Sequence, residues 1–136
     1  MSTGWAYRTY REQFGATYAN PDENMGDRRS RFHSDTAIAA IAMRDVRQIA
    51  ESLRNDLERV VLPAYPKVAE LRDVLTQAGS LGAMMSGSGP TVFALAESRE
   101  QARQIRETAA EAMDDPDLDF WVAKCITTGI QVADRE

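Results

Sequence analysis

Histidine and cysteine occur once each in this chain of 136 residues, as His33 and Cys125, and lysine occurs only twice, as Lys67 and Lys124. A structural zinc site takes four Cys or His ligands, and this chain cannot supply them. A single cysteine excludes an intrachain disulfide, which fits a reducing compartment. Cys125 and His33 could form a nucleophile pair on paper. Cys125, however, lies in an apolar stretch with the pattern of a strand, where a thiol is expected to be inert packing. Basic residues are outnumbered, with 16 Lys and Arg against 21 Asp and Glu and a net charge of −5. A nucleic-acid binder shows a basic face. The densest basic stretch here, Arg28-Arg29-Ser30-Arg31, follows Asp22, Glu23 and Asp27, and reads as a solvated loop too small for a polyanion footprint. No apolar run approaches the roughly 18 residues that span a bilayer. The first residues show neither a basic leader nor an apolar signal core, so a cytosolic location is expected.

The composition that remains is that of a globular protein, 43% apolar and 27% charged, in a length that suits one domain with one core. Residues 6–14 can form a short helix with aromatics on one side, among them Tyr7, Tyr10 and Phe14. Residues 20–34 are polar and broken by Asn20-Pro21 and Gly26, which predicts a surface loop. Ser34 or Asp35 can cap a long helix. Ile38, Ile41, Ala42, Val46, Ile49, Leu53, Leu57, Val60 and Val61 then recur every three or four residues, the period of a helix with one face in the core. Pro63 and Pro66 end that helix and start another, carried by Val68, Leu71, Val74 and Leu75 and stopped at Gly79.

Residues 81–85 and 91–96 read as two strands around a glycine loop. Ser98 and Gln101 form a capping box for a helix whose inner face is Ala102, Ile105, Ala109 and Ala112. A turn at Pro116 leads to residues 120–126, apolar at both alternating sets of positions, which predicts a mostly buried final strand. Helices and strands in one short chain give an α+β two-layer sandwich.

One stretch carries chemistry: Ser86-Gly87-Ser88-Gly89-Pro90. Two glycines one residue apart allow backbone conformations closed to other residues. Successive amide groups in such a turn make a nest for an anion, and Ser86 and Ser88 add hydroxyl donors. A dinucleotide fingerprint needs a third glycine and a following helix, and a Walker loop needs Gly-Lys-Ser/Thr. Neither is present. A nucleophile elbow needs Gly-x-Ser-x-Gly, and the spacing here is wrong. On the residues alone, a tight hairpin turn and an anion-binding loop both stay open.

The run Leu81-Gly82-Ala83-Met84-Met85-Ser86-Gly87-Ser88-Gly89-Pro90-Thr91-Val92-Phe93 resembles the third conserved motif of the galactokinase, homoserine kinase, mevalonate kinase and phosphomevalonate kinase superfamily. Asn55-Asp56-Leu57-Glu58 with Val60, Val61, Leu62 and Pro63 resembles the segment preceding that motif in the diphosphocytidyl-methylerythritol kinase branch. Ser2-Thr3-Gly4-Trp5-Ala6-Tyr7 and Phe120-Trp121-Val122-Ala123-Lys124 resemble that branch's strand-to-helix junction and final strand.

The resemblance implies a ferredoxin-like C-terminal domain spanning residues 1–136. Its partner would be an N-terminal ATP-binding domain, and no segment here resembles that domain's phosphate loop or supplies its catalytic aspartate and lysine. It implies transfer of the ATP γ-phosphoryl group to the 2-hydroxyl of 4-diphosphocytidyl-2-C-methyl-D-erythritol, in a bacterial cytoplasm or a plastid stroma. ATP and Mg would be bound by the complete enzyme and not by this chain alone. The loop of Ser86, Gly87, Ser88 and Gly89 would line the cleft, with Thr3 at the substrate rim, no catalytic residue in this chain, and Asn55 and Asp56 fixing a helix end. The chain alone is expected to be inactive. A free-standing binding or dimerisation module without catalysis is the alternative, as is a product with no independent role.

Overall fold

Ala6 and Tyr10, four residues apart, turn the same side of the first helix inward. In the computed structural model, which describes residues 2–15 and 34–127, this helix is α1 (Thr3–Phe14), and both residues are buried. Of the aromatics expected on one side, Tyr10 and Phe14 pack together with ring centroids 5.3 Å apart, while Tyr7 is exposed. Trp5 meets Tyr65 edge to face with ring centroids 5.4 Å apart, and the Arg59 guanidinium stacks 3.6 Å above Phe14. The polar residues 20–33, with the basic cluster and His33, lie outside the described residues.

The long helix expected from Ser34 to Val61 is three helices: α2 (Ser34–Met43), α3 (Val46–Glu51) and α4 (Glu58–Ala64). The apolar period is real, but two side chains interrupt it. Arg44 takes a left-handed conformation, φ 56°. Asp45 N–H then reaches back to the Ala40 carbonyl and Arg44 N–H to Ile41, the geometry of a helix stop. The Asp45 carboxylate accepts from the amides of Arg47 and Gln48 and so starts α3. Asn55 does the same for the next turn through Leu57 N–H. Short polar side chains that bond nearby amides compete with helix continuation. As a result Ile38 and Ile41 do not face a core; they are 55% and 62% exposed. Pro63 sits inside α4 rather than after it.

Pro66 opens α5 (Pro66–Gln77) at its first position, where a missing N–H is harmless. Gly79 follows at φ 91° as the stop. Two antiparallel strands come next, β1 (Gly82–Met85) and β2 (Val92–Leu95), in the register Gly82 to Leu95 and Met85 to Val92. Ser98 caps α6 (Arg99–Met113) by accepting from Gln101 N–H. The Gln101 side chain returns to Glu97 N–H. Ile105 and Ala109 are buried as expected, while Ala112 is exposed.

Helices α5 and α6 pack together, and α5 crosses both strands, which gives the helix layer over a sheet of an α+β sandwich. One core cluster joins Ala6, Tyr10, Leu57, Val60, Val61, Val68 and Met85. A second joins Leu75, Ile105 and Ala109. Val92 touches both. Residues 120–126 do not form the expected buried strand. Phe120 packs on the second cluster, but Trp121 and Ile126 are 81% and 69% exposed and Cys125 is exposed. The two-faced apolar pattern is that of a strand covered on both sides, yet a strand also needs a hydrogen-bonded neighbour. None of these residues' backbone groups bonds to β1 or β2.

Candidate functional site at the glycine hairpin

The loop 86–90 closes the hairpin between β1 and β2. Ser86 N–H donates to the Thr91 carbonyl at 2.8 Å, and Gly89 N–H to the Ser86 carbonyl at 2.9 Å. Gly87 and Gly89 take φ of 55° and 78°, which only glycine adopts readily. The peptide between Gly89 and Pro90 is cis. With two loop amides committed internally, the adjacent amides of Gly87 and Ser88 have no partner among the described residues. A Cβ placed on Gly87 would meet nothing within 4 Å, so the loop is open on the side where that side chain would stand.

Thr3 comes to this loop from the far end of the sequence. Its Oγ1 is 2.8 Å from the Ser88 Oγ, across a separation of 85 residues. The first amides of α1, at Thr3 and Gly4, have no acceptor among the described residues, and a helix start carries partial positive charge. The five residues singled out in the sequence, Thr3, Ser86, Gly87, Ser88 and Gly89, are therefore brought together.

Two further residues hold the loop in place. Asn55 Nδ2 donates to the carbonyls of Met85 and Gly87, each at 2.8 Å. Glu58 Oε1 accepts from Met85 N–H at 2.7 Å. The outward backbone groups of Met85 are thus gripped on both sides by the start of α4. Arg72 steadies Glu58 at 3.4 Å. Its guanidinium is held above its ordinary pKa by the Asp73 carboxylate first and by Glu58 after it. The sequence reading gave Asn55 a helix-capping role, which it has, and missed the grip on the loop. Glu58 was missed altogether; its place beside Asn55 in the motif flank was the available signal. Asp56 pairs with Arg54 and stays away from the loop.

Chemically the hairpin offers N–H and O–H donors and no proton acceptor of its own, since Glu58 is tied to Met85 and Arg72. Among the described residues, no group of three or more His, Cys, Asp and Glu is placed to hold a metal ion. No helix among them is long and apolar enough to cross a membrane.

Residues 37–115 match the family described as GHMP kinases C terminal, and the chain belongs to that family. Among curated relatives it is 53% identical over 133 residues to the 4-diphosphocytidyl-2-C-methyl-D-erythritol kinase of Nostoc punctiforme, covering 97% of this chain and 42% of that protein. It is 48% identical over 132 residues to the enzyme of the same name from Synechocystis, with 97% and 42% covered. Among solved structures, homoserine kinase from Cytophaga hutchinsonii superposes with a TM-score of 0.60 at 22% identity, over 84% of this chain and 34% of that one. That likeness speaks to the fold alone. The chain spans 42% of the length of the first two relatives, and the rest of each has no counterpart in this sequence.

Proposed function

We propose that this chain is the C-terminal domain of a 4-diphosphocytidyl-2-C-methyl-D-erythritol kinase. Its part would be to form one wall of the cleft in which the ATP γ-phosphoryl group passes to the 2-hydroxyl of the substrate. The observation that carries the reading is the pair of amides at Gly87 and Ser88 that have no partner among the described residues, on a loop tied to Asn55 and to Thr3, in a chain about half identical to kinases of that name. Backbone donors fixed in advance stabilise phosphate oxygens without reorganising during the reaction. Ser86 and Ser88 would add hydroxyl donors, and Thr3 would orient Ser88 at the substrate rim.

The remaining half of the enzyme, an N-terminal domain that binds ATP and carries the general base, is the partner required. ATP and Mg belong to that assembled enzyme. The described residues here do not fit a metal site, and no step in this chain runs through one. The location that follows from the relatives' enzyme is the cytoplasm or a plastid stroma.

The test uses Gly87→Val and Gly89→Val in the enzyme assembled with the remainder of the Nostoc punctiforme relative. A β-branched residue resists these positive φ values and crowds the approach of a phosphate to the amides. Turnover should fall by more than the loss of folding stability explains. Near-normal turnover in both variants would reduce the loop to a hairpin turn.

A further inference from the structure

We infer that Asn55 is a positioning residue for phosphoryl transfer, aiming the Ser88 amide of the glycine hairpin at phosphate oxygens in the cleft; this rests on reading the chain as one part of a two-part kinase.

A backbone N–H turns with its rigid peptide plane, whose other polar atom is the carbonyl oxygen of the preceding residue. In a trans unit the two point in opposite directions. Whatever grips the carbonyl therefore sets the direction of the N–H. Successive planes of the hairpin are gripped in this way. The Met85 carbonyl accepts from Asn55 Nδ2, and the amide of that plane, Ser86 N–H, is spent on the Thr91 carbonyl. The Ser86 carbonyl accepts from Gly89 N–H, which fixes the Gly87 amide from within the loop. The Gly87 carbonyl accepts from Asn55 Nδ2 at 2.8 Å, which fixes the Ser88 amide from outside the loop and turns it away from Asn55. Among the described residues the Gly87 and Ser88 amides have no partner. One of these donors is thus aimed by the hairpin itself and the other by a side chain just ahead of α4.

The bond to Gly87 is the one the fold needs least. Asn55 Oδ1 serves the helix start through Leu57 N–H. The end of β1 is held by the first Nδ2 bond and, on the other side of Met85, by Glu58. The second Nδ2 hydrogen serves the loop alone. It grips the plane next to Gly87, a residue at φ 55° with no Cβ to restrict its rotation, so without it the Ser88 amide would drift. Asparagine suits the place because it carries two N–H donors and an acceptor oxygen on a short side chain. An ionised aspartate has the acceptor and no donor, and serine has a single O–H.

The experiment measures kcat, and KM for ATP and for the diphosphocytidyl substrate, in the chain assembled with the remainder of the Nostoc punctiforme relative. It compares Asn55→Ser and Asn55→Asp with the unsubstituted assembly. Both replacements are good helix-start acceptors, and both lose the two-donor nitrogen. The serine variant adds no charge, so it decides the matter if the carboxylate variant does not fold. Rates are taken per folded complex, with the folded fraction read from urea denaturation of the same samples. A donor fixed in advance acts on the transition state, so kcat should fall by at least about tenfold in both variants while each KM stays within about threefold. A purely structural Asn55 would lower the folded fraction and leave kcat per folded complex unchanged. That result with Asn55→Ser would overturn the positioning role and leave the kinase reading standing, as would a raised KM at unchanged kcat. An unsubstituted assembly without turnover would sink the kinase reading and the positioning role with it.

Discussion

Asn55 serves three backbone groups at once, accepting from Leu57 N–H and donating to the carbonyls of Met85 and Gly87. Asn55→Ala leaves those groups unpaired and should lower unfolding stability by about 1–3 kcal/mol, read from urea denaturation. Asn55→Asp should be worse at neutral pH, because an ionised carboxylate would face two carbonyl oxygens. It should recover in part on acidification, as the protonated acid regains one donor. At Gly87 the surroundings leave room for a side chain, so the penalty is conformational. Gly87→Ala should cost about 1–2 kcal/mol, and Gly87→Asn less, since asparagine tolerates the left-handed region. The glycines and Thr3 could be marked from the sequence, the glycines by their spacing and Thr3 through family resemblance alone. For Glu58 the only signal was its place beside Asn55 in the motif flank, because its partner is a backbone amide 27 residues away, a contact that leaves no periodic trace.

At the level of elements, periodicity identified where helices run but not where they break. From Ile38 to Val61 the apolar spacing never lapses. The stops come from Arg44, Asp45 and Asn55, whose effect depends on side chains bonding their own neighbourhood. Arg44→Gly should therefore stabilise the chain by roughly 1 kcal/mol, relief of left-handed strain being offset in part by unfolded-state entropy. The Asp45 carboxylate is held below its ordinary value of 3.8, first by the Gln48 amide, with desolvation opposing it, and then by the Gln48 side chain and Arg47. A depressed folded pKa means that this stabilisation is present above pH 3.8 and is lost as pH falls below it. Asp45→Asn keeps a capping oxygen, and should flatten that acid limb of a stability-against-pH curve while changing little at pH 7. The hairpin and α6 were legible because their signals are local: glycines between apolar runs, and Ser98 three residues before Gln101. Residues 120–126 misled because an apolar pattern records burial, and the neighbour that would complete it is not among the described residues.

For the whole molecule, Val61 and Met85 are the largest side chains with no exposure, and Met85 ties the core directly to the glycine loop. Met85→Ala should cost about 2–5 kcal/mol and loosen the hairpin with it. Ile38, Ile41, Met43, Trp121 and Ile126 remain exposed, and apolar surface of this kind marks a binding face or an aggregation hazard. The fold class and the loop were legible in this chain because both are properties of its own residues. The remainder of the kinase relatives, more than half of each, has no counterpart in this sequence and was not legible in it. The most direct test measures ATP-dependent phosphorylation of 4-diphosphocytidyl-2-C-methyl-D-erythritol by the purified chain, by the remainder of the Nostoc punctiforme relative, and by the two assembled together. Turnover is expected only from the assembly. Turnover by the chain alone, or none from a stable assembly, would contradict the proposed role of the chain as the C-terminal part of such a kinase.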